Sequence, residues 1–576
     1  MQIFERVVRG RKYRIASHSE WDPQRGRSVA RQVVLGSAEP LPVANLAGAE
    51  VAGTRAVGDV GALVWVSEQL DLSNLIDRAL RLPRPATGPS VGEMVVAVAL
   101  QRACAPGPKS ALAAFLDGCL PRASCLPASA FTGQAFHRLA AQVTETMLQT
   151  VQVQVAGAIV GRFKLRTNVL AFDSTNFDTH IATTTAGELA RRGHAKSKNG
   201  SLRVVGLGLL VSETEHVPLL YRTFPGNSSD QAVLRSCLDG LMELQDSLDS
   251  VLHKGRESCR TLVRDGGFWS PDLEGVLDIA GYASLIALPM GHRAGKLALE
   301  HAAGRGKMKP LRGPLKHVRA ARLRTDVGEL DRTLVIVESQ ELLAGQKRGV
   351  QARLDKAREE MKVVERRVLA GKLRKEALAA RTKKILAREH LHEFVVVDIG
   401  GTEAAPTLRW RVDAARRRRL ERARLGRRVL CTDRHDWSTE RIVSAFRGQW
   451  KVEELFRRSK KGAVVPWGPS HQWKDDSLRL HTFCTVLGLT LVSLARVELA
   501  PESSALRMME DLESIRATEL VLNTGARGRP VTVLLPPRLT PEQRKSVGIF
   551  ELGRWLPGIV SCRPNSSPQA EKKAAG

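Results

Sequence analysis

The stretch Asn168-Val169-Leu170-Ala171-Phe172-Asp173-Ser174-Thr175 decides the fold expected for this chain. It is an apolar run of about strand length that ends in a carboxylate, and hydroxyl residues that favour turns follow it. We therefore predict a strand over 168–172 with Asp173 at its end, where functional side chains of an open α/β sheet usually project. The alternative for a single aspartate after a strand is a turn residue or a helix cap.

A second apolar run ends in the same way. Residues 260–264 are predicted to form a strand that delivers Asp265, and Gly266 and Gly267 allow a sharp turn after it. The other elements predicted around these two strands are strands at 202–211, 217–223 and 282–288 and helices at 230–252 and 271–280. This succession predicts an α/β RNase-H-like catalytic core, in which helices flank a mixed five-stranded sheet.

A third carboxylate, Glu453, lies on a helix that is predicted to begin near residue 438 and to continue to Lys460. Because an α-helix has 3.6 residues per turn, Phe446, Gln449, Arg457 and Lys460 fall on the same helix face as Glu453. That face combines a carboxylate with cations. The alternative is an ordinary surface ion pair between Glu453 and Arg457, four residues later.

The three acids together suit phosphoryl transfer to or from DNA. Such a reaction uses two hard cations about 4 Å apart that clamp the attacking and departing oxygens. Mg²⁺ takes oxygen ligands and keeps several waters, so two or three carboxylates are sufficient protein ligands. Asp173, Asp265 and Glu453 therefore predict a site for two Mg²⁺ ions, which Mn²⁺ can replace, in an enzyme that cuts DNA.

The ordered set resembles the bacterial insertion-sequence DDE transposases, whose third acid lies in a Tyr-x2-Arg-x3-Glu-x6-Lys signature. Glu453 and Lys460 match that signature, while Phe446 stands at the Tyr position and Gln449 at the Arg position. The similarity continues in the runs 193–196, 204–210, 217–220, 224–230, 427–433, 470–471 and 480–481. It covers roughly residues 60 to 500.

The resemblance implies roles for individual residues. Asp173, Asp265 and Glu453 would be the catalytic metal ligands, and the DNA-binding residues would be Lys460, Arg457, Gln449, Phe446, Arg447 and Arg428. Arg447 or Arg457 would replace the cation missing at Gln449. In hairpin-forming relatives a Trp of the inserted domain stacks on a flipped base; Arg428 stands at that position here, with Trp410 or Trp437 as alternatives.

The spacing of the acids predicts an inserted domain, because the 188 positions from Asp265 to Glu453 exceed what the core needs there. The predicted regions are a basic N-terminal segment with a small β unit (1–50), a mainly helical region that is a candidate for DNA end recognition (51–160), the first part of the core (161–290), an inserted basic α+β domain (291–432), the rest of the core (433–500), and a C-terminal extension with a disordered tail (501–576). For 51–160, the alternative is a helical bundle that packs against the core.

The insertion is rich in Lys and Arg. Residues 346–391 predict a long charged helix, broken near Gly371, and strands follow at 393–399 and 407–412 before the run Arg416–Arg419. A solvated arm crossed by salt bridges and a DNA-binding surface both fit this pattern. The resemblance favours the DNA-binding surface over the solvated arm.

Composition agrees with a nucleic-acid enzyme. The formal net charge of +28 predicts a polyanionic partner, and the basic residues recur along the whole chain. The sequence shows no run of eighteen apolar residues and no signal peptide, so we predict no membrane association and a bacterial cytoplasmic protein, nucleoid-associated when bound to DNA. The eight cysteines are scattered and predict neither a zinc site nor a disulfide framework.

The predicted function is DNA transposition: metal-dependent strand cleavage at terminal inverted repeats, then strand transfer to target DNA by a homodimer in a synaptic complex. One alternative is a metal-dependent DNA nuclease without strand transfer. Another is an inactive DNA-binding relic of a transposase.

Overall fold

The computed structural model describes residues 2–8, 11–22, 26–37, 49–197, 199–251, 259–289, 291–304, 307–461, 464–499, 502–522 and 531–556. The chain forms two compact units. The first comprises residues 1–262, 276–282 and 448–576, and the second comprises 263–275 and 283–447. Strand β8 and helix α9, whose bounds are given below, each contain residues of both units. The disordered tail predicted for the last dozen residues lies outside the described part of the chain.

The first unit begins with strands and then becomes mainly helical. Its elements up to residue 163 are β1 Gln2–Val8, β2 Arg11–Asp22, β3 Arg27–Ser37, β4 Ala49–Ala56, α1 Gly58–Gln69, α2 Leu72–Leu80, α3 Val91–Cys104, α4 Leu112–Asp117, α5 Gly133–Ala140 and α6 Glu145–Phe163. Strands β1 to β3 form an antiparallel sheet. A capping box of Ser90 and Glu93 begins α3, as its sequence pattern favours.

The core strands of the first unit follow in an antiparallel meander. They are β5 Val169–Thr179, β6 Arg203–Ser212 and β7 Pro218–Pro225, and α7 Asp230–Ser236, α8 Leu238–Val251 and β8 Arg260–Arg264 come next. The strand order here is β8-β5-β6-β7. The predicted meander is confirmed, but β5 continues seven residues past its predicted end at Phe172, so Asp173 lies within the strand.

Later segments complete the first unit. They are α16 Trp450–Lys461, α17 Asp475–Leu499, α18 Ala505–Glu513, β16 Arg516–Leu522, β17 Val531–Leu535 and α19 Pro541–Ile549. Strand β16 pairs with β4 on one side and with β17 on the other. The strand at 49–56, which was not predicted, therefore pairs with a strand from the C-terminal part of the sequence.

Helix α17 lies at the centre of the first unit. It packs against α3 and β7. By length and composition it is the one helix of the described residues that is apolar enough to cross a membrane, and 94% of its most apolar window is buried inside the protein. That burial is typical of a core helix.

The second unit continues from β8. Its elements are α9 Pro271–Ile279, β9 Tyr282–Leu288, α10 Arg293–Ala303, β10 Lys309–Pro310, β11 Val318–Val327, β12 Leu330–Ser339, α11 Gln340–Leu369, α12 Lys375–Leu386, α13 Leu391–Phe394, β13 Val395–Gly401, β14 Pro406–Val412, α14 Ala414–Ala423, β15 Arg427–Thr432 and α15 Thr439–Arg447. The strand order is β8-β9-β15-β12-β11-β10. A large sheet with flanking helices is thus present, and four strands of the insertion extend it beyond the five that were predicted.

The remainder of the insertion has a core of its own. Helices α11, α12 and α14 and the β13–β14 hairpin pack around buried apolar residues that include Leu354, Leu378, Phe394 and Leu420. The break predicted near Gly371 is confirmed: this residue has a positive φ of 65°, which glycine adopts at little cost. The strands predicted at 393–399 and 407–412 are confirmed as β13 and β14.

Candidate functional site

Asp173 lies in the middle of β5 with a half-buried side chain, between two fully buried neighbours. Its Oδ1 accepts the backbone N–H of Ser174 at 2.7 Å. The Ser174 hydroxyl in turn donates to Asp230 Oδ1, at the start of α7, at 2.8 Å. The strand and its neighbours therefore fix the backbone that carries Asp173, which is what a ligand-binding carboxylate requires.

Two lysine ammonium groups lie beside this part of β5. Lys460 Nζ, on α16, donates to Thr175 Oγ1 at 2.5 Å and lies 5.8 Å from the centre of the Phe177 ring. Lys196 Nζ donates to the main-chain oxygen of Ser174. The Asp173 carboxylate of β5 and two lysine cations from other segments thus lie along the same part of the strand in the first unit. This combination suits a metal-bound phosphate group.

Partial burial against β5 lowers the pKa of the Lys460 ammonium to about 8. The positive charge of Lys196 lowers this pKa further, whereas the carboxylates of Asp178 and Asp173 raise it. Lys460 therefore changes charge in a pH range that is accessible to binding experiments.

We predict that the contribution of Lys460 to DNA affinity decreases as pH rises through about 8. Only the protonated amine attracts phosphate, and a lowered pKa means that the proton is lost earlier than from an ordinary lysine. The measurement compares the DNA dissociation constants of the unchanged protein and Lys460→Met between pH 7 and 9. The ratio of the two constants should approach one at the alkaline end.

Lys460→Arg is the matched control, because arginine keeps its charge over this range. The ratio of the DNA dissociation constants of Lys460→Met and Lys460→Arg should stay constant between pH 7 and 9. A constant ratio for the unchanged protein as well would contradict the prediction.

Helix α16 carries the third predicted acid. The Glu453 side chain is exposed and makes no hydrogen bond or ion pair with the described residues. Arg457 pairs with Glu454, which also accepts from Arg458 Nε at 3.3 Å. The surface ion pair between Glu453 and Arg457 that the spacing suggested is therefore absent, and Glu453 is left available for a ligand.

The prediction of a single helix from residue 438 to Lys460 is wrong. This segment forms two helices, α15 and α16, which are separated by a turn at Gly448 and Gln449 and belong to different units. A glycine inside a helix exposes backbone and costs about 1 kcal/mol relative to alanine, which favours a break here.

The break changes the environment of the signature residues. In the second unit Phe446 is buried, 5% exposed, and the Arg428 guanidinium lies 5.2 Å from the centre of its ring. In the first unit Gln449 is 7% exposed. Arg447 is half-buried at the end of α15. Phe446 and Gln449 are therefore buried in this structure, whereas Lys460 lies against β5.

Asp265 directly follows β8 in the second unit and precedes a short 3-10 turn, Gly266–Phe268. Its side chain is exposed and makes no capping hydrogen bond, so the helix-cap alternative is wrong. A Cβ at Gly266 would lie 2.6 Å from the carbonyl oxygen of Ala287, which explains why this position is a glycine. Asp265 thus has a fixed backbone and a carboxylate that is available for a ligand.

A buried ion pair fixes the end of β8. Arg264 and Glu274 are both fully buried, and Arg264 Nη2 donates to Glu274 Oε1 at 2.9 Å and to Ser284 Oγ at 2.6 Å. The pair ties β8 to α9 and β9. It therefore positions the neighbouring Asp265.

The base-stacking candidates of the second unit differ in their surroundings. Trp410 packs against the core of the insertion, and its Nε1 donates to Glu365 Oε1 at 2.6 Å. Trp437 lies next to the guanidinium groups of Arg441 and Arg434, 4.3 and 5.5 Å from its ring centre. Trp437 is the candidate with cations around it.

Sequence reasoning missed functional candidates beside Asp173 and Glu453. Lys196 lies in one of the runs that carry the resemblance, but no role was predicted for it, and Thr175 was predicted to lie in a turn. Trp450 is 56% exposed in the first turn of α16, three residues before Glu453. The signal for Trp450 was its spacing, since positions three apart share a helix face.

The three predicted acids are not contained in one unit. Asp173 and Glu453 belong to the first, and Asp265 belongs to the second. Across the ranges that the structure describes, no group of three or more His, Cys, Asp and Glu side chains is arranged to hold a metal ion.

No family model and no curated protein matches the chain. Among solved structures, it is similar to a piggyBac transposase in a cryo-EM structure of that protein's synaptic complex with hairpin DNA. The sequence identity is 9%, the match covers 81% of each chain, and the TM-score is 0.35. A likeness of this degree does not establish a common fold.

Proposed function

We propose that this protein is a DDE-type DNA transposase of the insertion-sequence kind with an RNase-H-like catalytic core. One observation supports this most directly: β5 places Asp173 beside the Lys460 ammonium, and the helix that carries Lys460 also carries the exposed Glu453. Carboxylates on a strand and a neighbouring helix suit metal-ion ligation, and the cations beside them suit phosphate binding.

The strand order supports the proposed core. Within the first unit the order is β8-β5-β6-β7, and within the second β9 follows β8. A meander of three strands followed by two strands that are linked through helices is the arrangement expected of an RNase-H-like sheet. The two proposed catalytic aspartates lie on β5 and directly after β8.

We propose that Asp173, Asp265 and Glu453 hold two Mg²⁺ ions. The donor types fit, since all three are carboxylates and Asp265 and Glu453 are exposed, although the described acids do not already form a ligand cluster. When bound, the ions supply Lewis-acid activation of the attacking oxygen and stabilise the departing one. Lys460, Lys196 and Arg457 bind phosphates and orient the DNA strand.

The proposed reaction has two steps. Water hydrolyses one strand at the transposon end, and the released 3′-hydroxyl then attacks a phosphodiester of the target DNA. We propose that a homodimer brings two terminal inverted repeats together, in the bacterial cytoplasm.

The burial of Phe446 and Gln449 favours one other candidate, a DNA-binding relic. These two residues stand where the family signature has a tyrosine and an arginine, and buried side chains contribute nothing to a phosphate contact. A nuclease without strand transfer is the remaining alternative.

The test is cleavage and joining of labelled duplexes that carry the DNA flanking the gene, with Mg²⁺ or Mn²⁺. Nicking at the ends followed by joining to a second duplex is expected for a transposase. An unrelated duplex of equal length is the control. Cleavage without end preference or joining would indicate the nuclease, and metal-independent binding without cleavage would indicate the relic.

A further inference from the structure

Helix α14 of the second unit has an exposed cationic face. Leu420 is its buried residue, 4% exposed, and packs into the core of the insertion. Because the helix turns 100° per residue, Arg418, Arg419 and Arg422 lie on the sides away from Leu420. All three are exposed.

These three arginines differ from the other arginines of the helix in their pairing. Arg416 Nε lies 3.6 Å from an Asp413 carboxylate oxygen, and Arg417 Nε lies 3.1 Å from Glu421 Oε1. By contrast, Arg418, Arg419 and Arg422 form no ion pair or hydrogen bond with any residue that the structure describes. Their charges are therefore free to attract an anionic partner.

The long helix of the same unit shows what a solvated charged helix looks like. Helix α11 has eight cations and five acids in its thirty residues, whereas α14 has five arginines and one glutamate in ten. Arg353, Arg358 and Lys362 of α11 each pair with an acid, at 2.5, 3.1 and 2.9 Å. Four of the eight cations of α11, Lys347 included, are thus in ion pairs, whereas three of the five arginines of α14 are in none among the described residues.

Helix α14 is also rigidly anchored. Asp413 caps its first turn by accepting the N–H groups of Ala415 and Arg416, at 3.0 and 2.9 Å. Leu420 fixes the rotation of the helix about its axis. The three guanidinium groups therefore project from a backbone that needs no ordering on binding, which lowers the entropy cost of association.

We propose that Arg418, Arg419 and Arg422 form a contact surface for the phosphate backbone of duplex DNA. The inference rests on the proposed function and adds a DNA contact made by the insertion. Guanidinium groups bind phosphates through paired N–H donors, and such contacts position a protein on DNA without reading its sequence. The contact should therefore contribute equally on transposon ends and on unrelated duplexes.

The test measures duplex affinity against salt for the full-length protein. Each phosphate contact contributes about 0.9 to the magnitude of the slope of log K against log salt. Arg418→Gln/Arg419→Gln/Arg422→Gln should therefore lower that magnitude by about 2.7. The control, Arg353→Gln/Arg358→Gln/Lys362→Gln, removes the same charge from paired positions and should lower it by less than about 1. Circular dichroism checks that both variants are folded.

The replacement Arg418→Lys/Arg419→Lys/Arg422→Lys should keep most of the slope, because it keeps the charge. An unchanged slope in the Gln variant, while the unchanged protein still binds and cleaves DNA, would overturn this inference and leave the proposed function standing. Equal losses in the Gln variant and the α11 control would overturn it too, since net charge alone would then explain binding. If the unchanged protein does not bind duplex DNA, the proposed function fails with it.

Discussion

Asp173→Asn, Asp265→Asn and Glu453→Gln are each expected to lower metal-dependent strand cleavage by at least about 10³-fold. An amide keeps the size of the side chain but loses the negative charge that binds Mg²⁺. Metal-ion activation contributes several kcal/mol to such reactions, and about 4 kcal/mol corresponds to about 10³-fold in rate. The measurement is the rate of nicking of an end-labelled duplex under single-turnover conditions.

DNA binding should respond in the opposite sense. Each substitution removes a negative charge that repels phosphate, so affinity without metal should stay the same or increase. A variant that loses binding together with cleavage would point to misfolding instead of lost metal ligation. Mn²⁺ in place of Mg²⁺ tests whether the remaining carboxylates still bind a metal.

Matched controls lie on the same helix or strand as two of the acids. Glu454→Gln changes the neighbouring carboxylate on α16, which pairs with Arg457 and Arg458. Asp178→Asn changes a half-buried carboxylate of β5 that accepts the Ser197 hydroxyl. Both should retain cleavage within about tenfold, roughly 1.4 kcal/mol. A loss as large as that of the neighbouring candidate would show that general charge, and not metal ligation, explains the effect.

The sequence was informative where local patterns determine the structure. The strands at 260–264 and 282–288 have the predicted bounds, because short apolar runs between turn residues have few other solutions. The break at Gly371 was visible because glycine favours the positive φ at which helices commonly end. The predicted strand over 168–172 ended too early, since Asp173 and the polar residues after it were interpreted as a turn although β6 pairs with them through Thr179.

Features that depend on distant residues were not predictable from local patterns. The hairpin of β11 and β12 was not predicted within the charged insertion, although residues 334–337 of β12 form a short buried apolar run. The division of the Glu453 helix placed Phe446 in the second unit, so periodicity across Gly448 carried no information about a shared face. Lys196 reaches Ser174 from a loop, which no periodic pattern reveals.

Glu274→Ala is expected to destabilise the β8–β9 region of the second unit by about 3–5 kcal/mol. Arg264 and Glu274 are both 0% exposed, so removal of the acid leaves a guanidinium in the interior without its anion. Ser284 Oγ, 2.6 Å from Arg264 Nη2, is the remaining described acceptor, and a neutral hydroxyl does not balance a buried charge. Hydrogen exchange of the β8 and β9 amides measures this opening free energy locally, which avoids the assumption that two units unfold as one.

The double variant Arg264→Met/Glu274→Leu separates the charge from the packing. It removes both buried charges and keeps apolar volume, and such replacements are often neutral or stabilising. Its amides should therefore exchange close to the rate of the unchanged protein. Asp331→Asn breaks an exposed pair, in which the Asp331 and Arg324 side chains are 47% and 62% accessible, and should change stability far less than Glu274→Ala does. Because Arg264 directly precedes Asp265, the double variant also tests the positioning role: normal stability with slower cleavage would show that the ion pair holds the proposed catalytic carboxylate in place. Equal exchange rates in Glu274→Ala and the unchanged protein would mean that water or another group compensates Arg264, and the ion pair would then have no structural role at the end of β8.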